Sequence, residues 1–342
     1  MSLTQLKTQS EQQATSPYSP ILRPRRLRSS DAMRRLVRET VLTANDFIYP
    51  IFVDEGLSEP QEVSSMPGVW RQTEKSMETL LKQVDAAKVP AVMLFGVSNH
   101  KDHEGTDSFR KGGLMDRMVK RAKDTCPDLV IMADACFCEY TDHGHCGPLD
   151  HVHNDVDNDR TIANIALQAV TAAEAGADVI APSGMMDGQV AAIRAALDES
   201  GCERTAILAY AAKYASGFYG PFRDALDSAP KKGDKKTYQM DFANAREALR
   251  EAELDEAEGA DILMVKPGLP YLDVILRLKE HSTLPIAAYN VSGEYAMVKA
   301  AAQNGWLDEN KTVIEVLTSF RRAGADIILT YHAKLAAQLL KK

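Results

Sequence analysis

Two lysines and three cysteines in this chain stand where side chains can do chemistry. Lys266 ends the apolar run Asp261-Ile-Leu-Met-Val265. An ammonium is costly to take out of water, so a lysine there either reaches solvent or sits in a pocket with a shifted pKa. In a pocket the neutral amine becomes a nucleophile toward carbonyls, the usual route to a Schiff base. Solvent-facing lysines at strand ends are common, and Lys266 gains weight only in company. Lys213 ends Ala206-Ile-Leu-Ala-Tyr-Ala-Ala212 in the same way. Two such lysines on consecutive strands disfavour each other's protonation, so at least one can be neutral near neutral pH. Two amines suit two carbonyl substrates. The third element is Cys136-Phe-Cys138-Glu-Tyr-Thr-Asp-His-Gly-His-Cys146. Thiols two residues apart on an extended segment face one side, and a glycine-bearing loop returns the third. Three soft ligands suit zinc. A structural zinc takes four protein ligands, whereas three leave a position for water or substrate. His143 or His145 can supply a fourth, so both arrangements stay open.

Such residues need a frame that gathers strand ends. The sequence alternates short β-rich apolar runs with helical stretches rich in Ala, Leu, Glu and Lys, the runs being Phe47 to Val53, Ala91 to Gly96, Leu129 to Ala135, Asp178 to Pro182, Thr205 to Ala211, Asp261 to Val265, Pro285 to Val291 and Asp326 to Thr330. Three runs are entered by Gly-Ala-Asp, at 176–178, 259–261 and 324–326, each read as a helix ending at glycine before a tight turn into a buried strand. Eight strand-then-helix units predict the α/β class and a closed (β/α)8 TIM barrel. An open doubly wound sheet competes, but no Gly-rich phosphate fingerprint follows the first run.

Active sites of such barrels lie at the C-terminal ends of the strands. The residues expected there are Asp134, Cys136 and Cys138, then Ser183, Lys213, Lys266, Tyr289 with Ser292, and Tyr331. The connection from 214 to about 238 is long and basic, carrying Phe218-Tyr-Gly-Pro-Phe-Arg223 and Lys231-Lys-Gly-Asp-Lys-Lys236, and reads as a lid. Arg223, the loop lysines, and the hydroxyls of Ser292 and Tyr331 are suited to hold carboxylates.

The bulk numbers agree with a small-molecule enzyme. The chain has 342 residues, 45% of them hydrophobic, enough for a large core. A net charge of -8 argues against a nucleic-acid binder. No apolar run reaches membrane-spanning length, and the polar start lacks signal- or transit-peptide patterning, so a cytoplasmic protein with reduced cysteines is expected. Residues 1 to about 20 are Gln/Ser/Thr-rich and expected to be disordered, followed by the basic Arg23-Pro-Arg-Arg-Leu-Arg28 and a helix capped by Ser30-Asp31 that runs through Leu36 and Val37. The expected division is an N-terminal arm, 1–38, and a barrel domain, 39–342.

Together these stretches resemble the porphobilinogen synthase (delta-aminolevulinic acid dehydratase) family of the bacterial zinc-cysteine type. The likeness runs from about residue 20 to the end. It is carried by Arg23 to Arg28, Asp134 to Gly147, Ala181-Pro-Ser-Gly-Met-Met-Asp-Gly188, Tyr219-Gly-Pro-Phe-Arg-Asp-Ala225, Met264-Val-Lys-Pro267 and Val291-Ser-Gly-Glu-Tyr-Ala-Met297. The resemblance implies condensation of two 5-aminolevulinate molecules to porphobilinogen with loss of two waters, in a homo-octamer whose arm wraps a neighbour. It implies Schiff bases at Lys266 and Lys213, with Ser292 and Tyr331 at the first substrate's carboxylate and Arg223 and Lys235 at the second's. It further implies catalytic zinc on Cys136, Cys138 and Cys146, supporting pocket roles for Asp134, Ser183, Tyr219, Gln239 and Tyr289, and an allosteric magnesium ion at Glu251. Many members carry arginine where this chain has Lys235, and a lysine gives a point charge instead of a fork. The rival readings are a single-lysine Schiff-base aldolase and a zinc-stabilised scaffold without chemistry.

Overall fold

All eight apolar runs form strands, with limits within two residues of those read from the sequence. They are β1 (Phe47–Asp54), β2 (Ala91–Val97), β3 (Val130–Ala135), β4 (Val179–Pro182), β5 (Ala206–Lys213), β6 (Ile262–Lys266), β7 (Ile286–Asn290) and β8 (Ile327–Thr330). Each pairs in parallel with the next, and β8 closes on β1 through Phe47 with Ile328 and Ile48 with Leu329. At least one helix follows every strand, so the fold is the expected closed barrel. The computed structural model describes residues 22–341 apart from 151, 153, 154, 227, 229 and 232. Contacts divide it into units 1–41 and 42–342. In the first, Ser30 Oγ accepts from the Met33 N–H at 3.1 Å and starts the expected helix, Asp31–Leu36. The expected disorder before residue 20 lies outside the described residues. Among those described, no helix is long and apolar enough to cross a membrane.

Two apolar layers follow from strand alternation, because successive side chains point to opposite faces. Ile48, Phe52, Met93, Phe95, Leu208, Tyr210, Met264, Ala287 and Leu329 fill one cluster. Ile51, Val53, Val92, Leu94, Ile207, Ala209, Leu263 and Val265 pack into another, which they share with helix residues such as Leu81, Met118, Ile165 and Leu278. The first cluster plugs the barrel, so chemistry is confined to its rim.

The Gly-Ala-Asp phrase does more than end a helix. Gly176, Gly259 and Gly324 adopt φ of 108°, 105° and 112°, as glycine at a helix C-terminus allows. The aspartate that follows then bonds the start of the preceding strand twice. Its N–H donates to the carbonyl of Ile131, Ile207 or Ile286, and its carboxylate accepts the N–H of that same isoleucine at 2.7, 2.8 and 3.0 Å for Asp178, Asp261 and Asp326. The phrase therefore clasps β4 to β3, β6 to β5 and β8 to β7. Asp178 and Asp326 also meet Lys123 and Lys279, whereas Asp261 has no ion pair among the described residues, which isolates its clasp. Asp261→Ala strands the N–H of buried Ile207 and is expected to cost about 1–3 kcal/mol by urea denaturation. An unchanged midpoint and slope would show that the clasp is dispensable.

Candidate active site

Lys213 and Lys266 are register partners at the ends of β5 and β6, and they are only 6% and 4% exposed. Strict alternation would not put both in the mouth. Leu208 and Tyr210 point to the barrel interior, so an even strand would send Ala212 inward and Lys213 out. The β5–β6 register shifts between Leu263 and Val265, and Ala211 and Ala212 both pack in the outer cluster. This bulge re-aims Lys213 to the same side as Lys266.

Aromatic rings enclose the Lys266 ammonium, with Nζ 4.6 Å from the ring centres of Phe222 and Tyr289 and 5.2 and 5.3 Å from those of Tyr210 and Tyr219. Burial first, and the Lys213 charge second, lower its pKa to about 7, against the pull of Asp134. Its free amine is thus available near neutrality. Lys213 Nζ donates to the Ser183 carbonyl and lies 5.7 Å from the Tyr210 ring centre. Asp134, on β3, has one oxygen taking the Ser183 hydroxyl at 3.3 Å while the other, Oδ1, is buried without a hydrogen bond. Burial and then the Glu139 charge raise its carboxyl to about 8, the two lysines opposing, so Asp134 is a proton donor beside two amines.

Four expected site residues serve neighbouring protein groups. Tyr219 donates to the carbonyls of Tyr214 at 2.7 Å and Lys266 at 3.1 Å, holding the strand end. The hydroxyls of Tyr289 and Tyr331 share a hydrogen bond at 2.9 Å. Ser292 accepts from the Phe222 N–H at 3.0 Å and donates to the Phe218 carbonyl at 3.2 Å, tying the 217–226 segment over the mouth. Half-buried Arg223, on that segment, has no side-chain hydrogen bond or ion pair among the described residues.

The cysteine loop folds as a cluster. The sulfurs of Cys136, Cys138 and Cys146 all lie within 4.8 Å of one another and are buried. Hydrogen bonds from the other two thiols, with Lys235 and Lys213 near, hold Cys146 well below the ordinary thiol range. Hydrogen bonding to Cys136 and Cys146, with burial, pushes Cys138 well above it. Lys235 Nζ is 3.5 Å from Cys146 Sγ; burial opposes its charge, but the sulfurs and Glu139 outweigh burial and raise it above the usual lysine range. Neither histidine joins the cluster: His143 Nδ1 accepts the His145 N–H at 3.2 Å, and His145 Nδ1 meets the Tyr238 hydroxyl at 3.1 Å. A three-sulfur donor set beside a cation fits zinc with a position left open.

Gln239 and Glu251 border a separate cavity of about 380 Å³ with Asp187, Asn244 and Glu247. Burial and the charges of Asp187 and Glu247 raise Glu251. The sequence reading missed Tyr210 and Phe222, which wall the amines, and Glu139, buried with Oε2 unbonded. Glu139 had a signal, an acid inside the thiol loop. Tyr210 had none, because only the bulge puts Lys213 beside it.

Comparison with known proteins agrees with the closed barrel. The family model described as delta-aminolevulinic acid dehydratase matches residues 21–339. The delta-aminolevulinic acid dehydratase of Synechococcus elongatus is 56% identical over 323 residues, 94% of this chain and 99% of the relative. That of Staphylococcus aureus is 52% identical over 320 residues, with the same coverage. The crystal structure of the Toxoplasma gondii enzyme, in complex with the reaction product porphobilinogen, superposes with a TM-score of 0.91 at 48% identity, covering 94% of this chain and 92% of that one.

Proposed function

This chain belongs to the delta-aminolevulinic acid dehydratase (porphobilinogen synthase) family of enzymes, and on that premise we propose how its own side chains join two 5-aminolevulinate molecules. The observation that carries the reading is the register pair of buried lysines, Lys213 with Lys266, on a rim that also holds three thiols. Neutral Lys266 attacks the ketone of the first substrate, and the adduct expels water to give a Schiff base. Lys213 does the same with the second. Two imines account for the two waters, and both lysines leave as free amines when the carbon–carbon and carbon–nitrogen bonds of the ring replace them. Asp134, an acid beside both amines, supplies protons to the departing hydroxyl groups.

Ser292 and Tyr331 are assigned to the carboxylate of the first substrate, Arg223 and Lys235 to that of the second. The guanidinium of Arg223, without a side-chain partner among the described residues, and the two hydroxyls at the mouth support this. Ser183, Tyr219, Gln239 and Tyr289 support the pocket walls. Cys136, Cys138 and Cys146 would hold zinc, which when bound would supply a Lewis acid to polarise the second substrate and favour loss of a proton from its amine. Glu251 is assigned to an allosteric magnesium ion, which would relieve the repulsion it shares with Asp187 and Glu247.

The test is reductive trapping with 5-aminolevulinate and cyanoborohydride, followed by peptide mass mapping. Adducts are expected on Lys266 and on Lys213. No adduct at either lysine leaves the scaffold reading, and trapping only with a sugar phosphate favours the aldolase. Because the Lys266 pKa is lowered from 10.5 to about 7, trapping there should rise with pH through about 7 and level off above, as the ammonium loses its proton. A rise that continues toward the ordinary lysine range would contradict the caged, desolvated amine.

A further inference from the structure

Where the Lys266 amine sits depends on the turn that follows it. Pro267 to Leu269 leave β6, and the N–H groups of Gly268 and Leu269 both donate to one oxygen of Glu294, at 3.0 and 3.2 Å. The other oxygen accepts from Asn290 Nδ2 at 2.7 Å. Asn290 Oδ1 in turn accepts from Thr330 Oγ1 at 2.8 Å, and Thr330 Oγ1 accepts the His332 N–H at 3.1 Å. Glu294, Asn290 and Thr330 are 1%, 1% and 0% exposed, and Glu294 has no ion pair among the described residues. The chain of bonds thus runs under the ends of three consecutive strands, β8, β7 and β6, and ends on the backbone just past Lys266.

An unpaired buried carboxylate is expensive unless hydrogen bonds satisfy it, and this one accepts from two different sides at once. The turn also has little room. A Cβ added at Gly268 would lie 2.9 Å from Phe320 Cζ and 3.0 Å from the Tyr289 carbonyl oxygen. The backbone after Lys266 is therefore fixed between a ring, a strand carbonyl and the Glu294 carboxylate, while Tyr219 fixes the Lys266 carbonyl from the other side at 3.1 Å.

We propose that Glu294 is a positioning residue for Lys266, its carboxylate setting the turn that holds the amine within its aromatic cage at attacking distance from the substrate ketone. The inference rests on the Schiff-base reading above. It concerns Lys266 alone, because Lys213 is anchored elsewhere, with its side chain on the Ser183 carbonyl and its own carbonyl on the Met240 N–H at 3.1 Å.

The test compares Glu294→Ala and Glu294→Gln with the parent, using full-length enzyme and 5-aminolevulinate with cyanoborohydride. Trapping at Lys266 and Lys213 is followed separately, with kcat, KM and the melting temperature. A misplacement of about 1 Å can cost about 10²-fold, so Glu294→Ala should slow Lys266 trapping and kcat by about 30- to 100-fold, with trapping at Lys213 unchanged and KM within about threefold. Glu294→Gln keeps an acceptor for the turn, and an Asn290 amide flip lets it bond the new amide, so it should recover only in part, with Lys266 trapping about three- to tenfold below the parent's and Lys213 trapping unchanged. If Glu294→Ala does not fold, the Glu294→Gln ratio of Lys266 to Lys213 trapping decides. A ratio equal to the parent's in the soluble variant overturns the proposal, as does an equal loss at both lysines that tracks the melting temperature. Failure of the parent to trap at Lys266 overturns the Schiff-base reading and this inference with it; parent trapping that Glu294→Ala leaves unchanged overturns this inference alone.

Discussion

Lys266→Met is expected to lower kcat by at least about 10³-fold while leaving the fold intact, because loss of a covalent nucleophile removes the route rather than one contribution to it. Methionine matches much of the shape of the lysine side chain. The cage of Tyr210, Tyr219, Phe222 and Tyr289 would still be filled, and a desolvated amine would be gone. The melting temperature should therefore hold or rise. The check is steady-state turnover of purified Lys266→Met beside a thermal melt, with peptide mapping after trapping. Lys213 keeps its bond to the Ser183 carbonyl in the variant, so an adduct there alone would identify which substrate remains bound. Turnover within about tenfold of the parent would remove Lys266 from the chemistry.

Cys138→Ser is the second large effect. Cys138 closes a cluster whose sulfurs lie within 4.8 Å of one another, and a hydroxyl is a harder and poorer zinc ligand than a thiolate. Loss of at least about 10²-fold in activity is expected, together with a fall of zinc content to a small fraction of the parent's, read by metal analysis after dialysis. Thorough removal of zinc from the parent with a thiol-compatible chelator, in magnesium-containing buffer, should abolish activity reversibly. Full activity in that buffer would overturn the zinc assignment and leave the three thiols a structural cluster. Lys235 sharpens the comparison. Its ammonium sits 3.5 Å from Cys146 Sγ, so the metal-free cluster keeps a counter-charge and need not collapse when zinc leaves.

Much of the barrel was legible along the chain. Apolar runs of the right length, punctuated by helix-ending glycines, specify strand-then-helix units wherever they occur, because burial and turn chemistry act locally. Lys266 and the thiol loop were legible for a related reason. An ionisable or soft side chain at the end of a buried run contradicts its surroundings, and the contradiction shows in the sequence itself. Local reading ran out where a role depends on another strand. The three aspartates of Gly-Ala-Asp read only as the entry to buried runs, yet each reaches across to the strand before it. Glu294 had no reading of its own beyond its place in Val291 to Met297, yet it bonds a turn more than twenty residues upstream.

By itself, then, the sequence determined eight units, the rim on which polar residues gather, two amines at strand ends and three sulfurs in one loop, since each follows from patterns within a few residues. Only the tertiary structure decided that the amines face each other. Strand parity would have turned Lys213 outward, and one bulge in β5, defined solely by its pairing with β6, turned it back. The same packing lowers Lys266 and raises Asp134, because desolvation and charge proximity are properties of an enclosed space and not of the chain that encloses it.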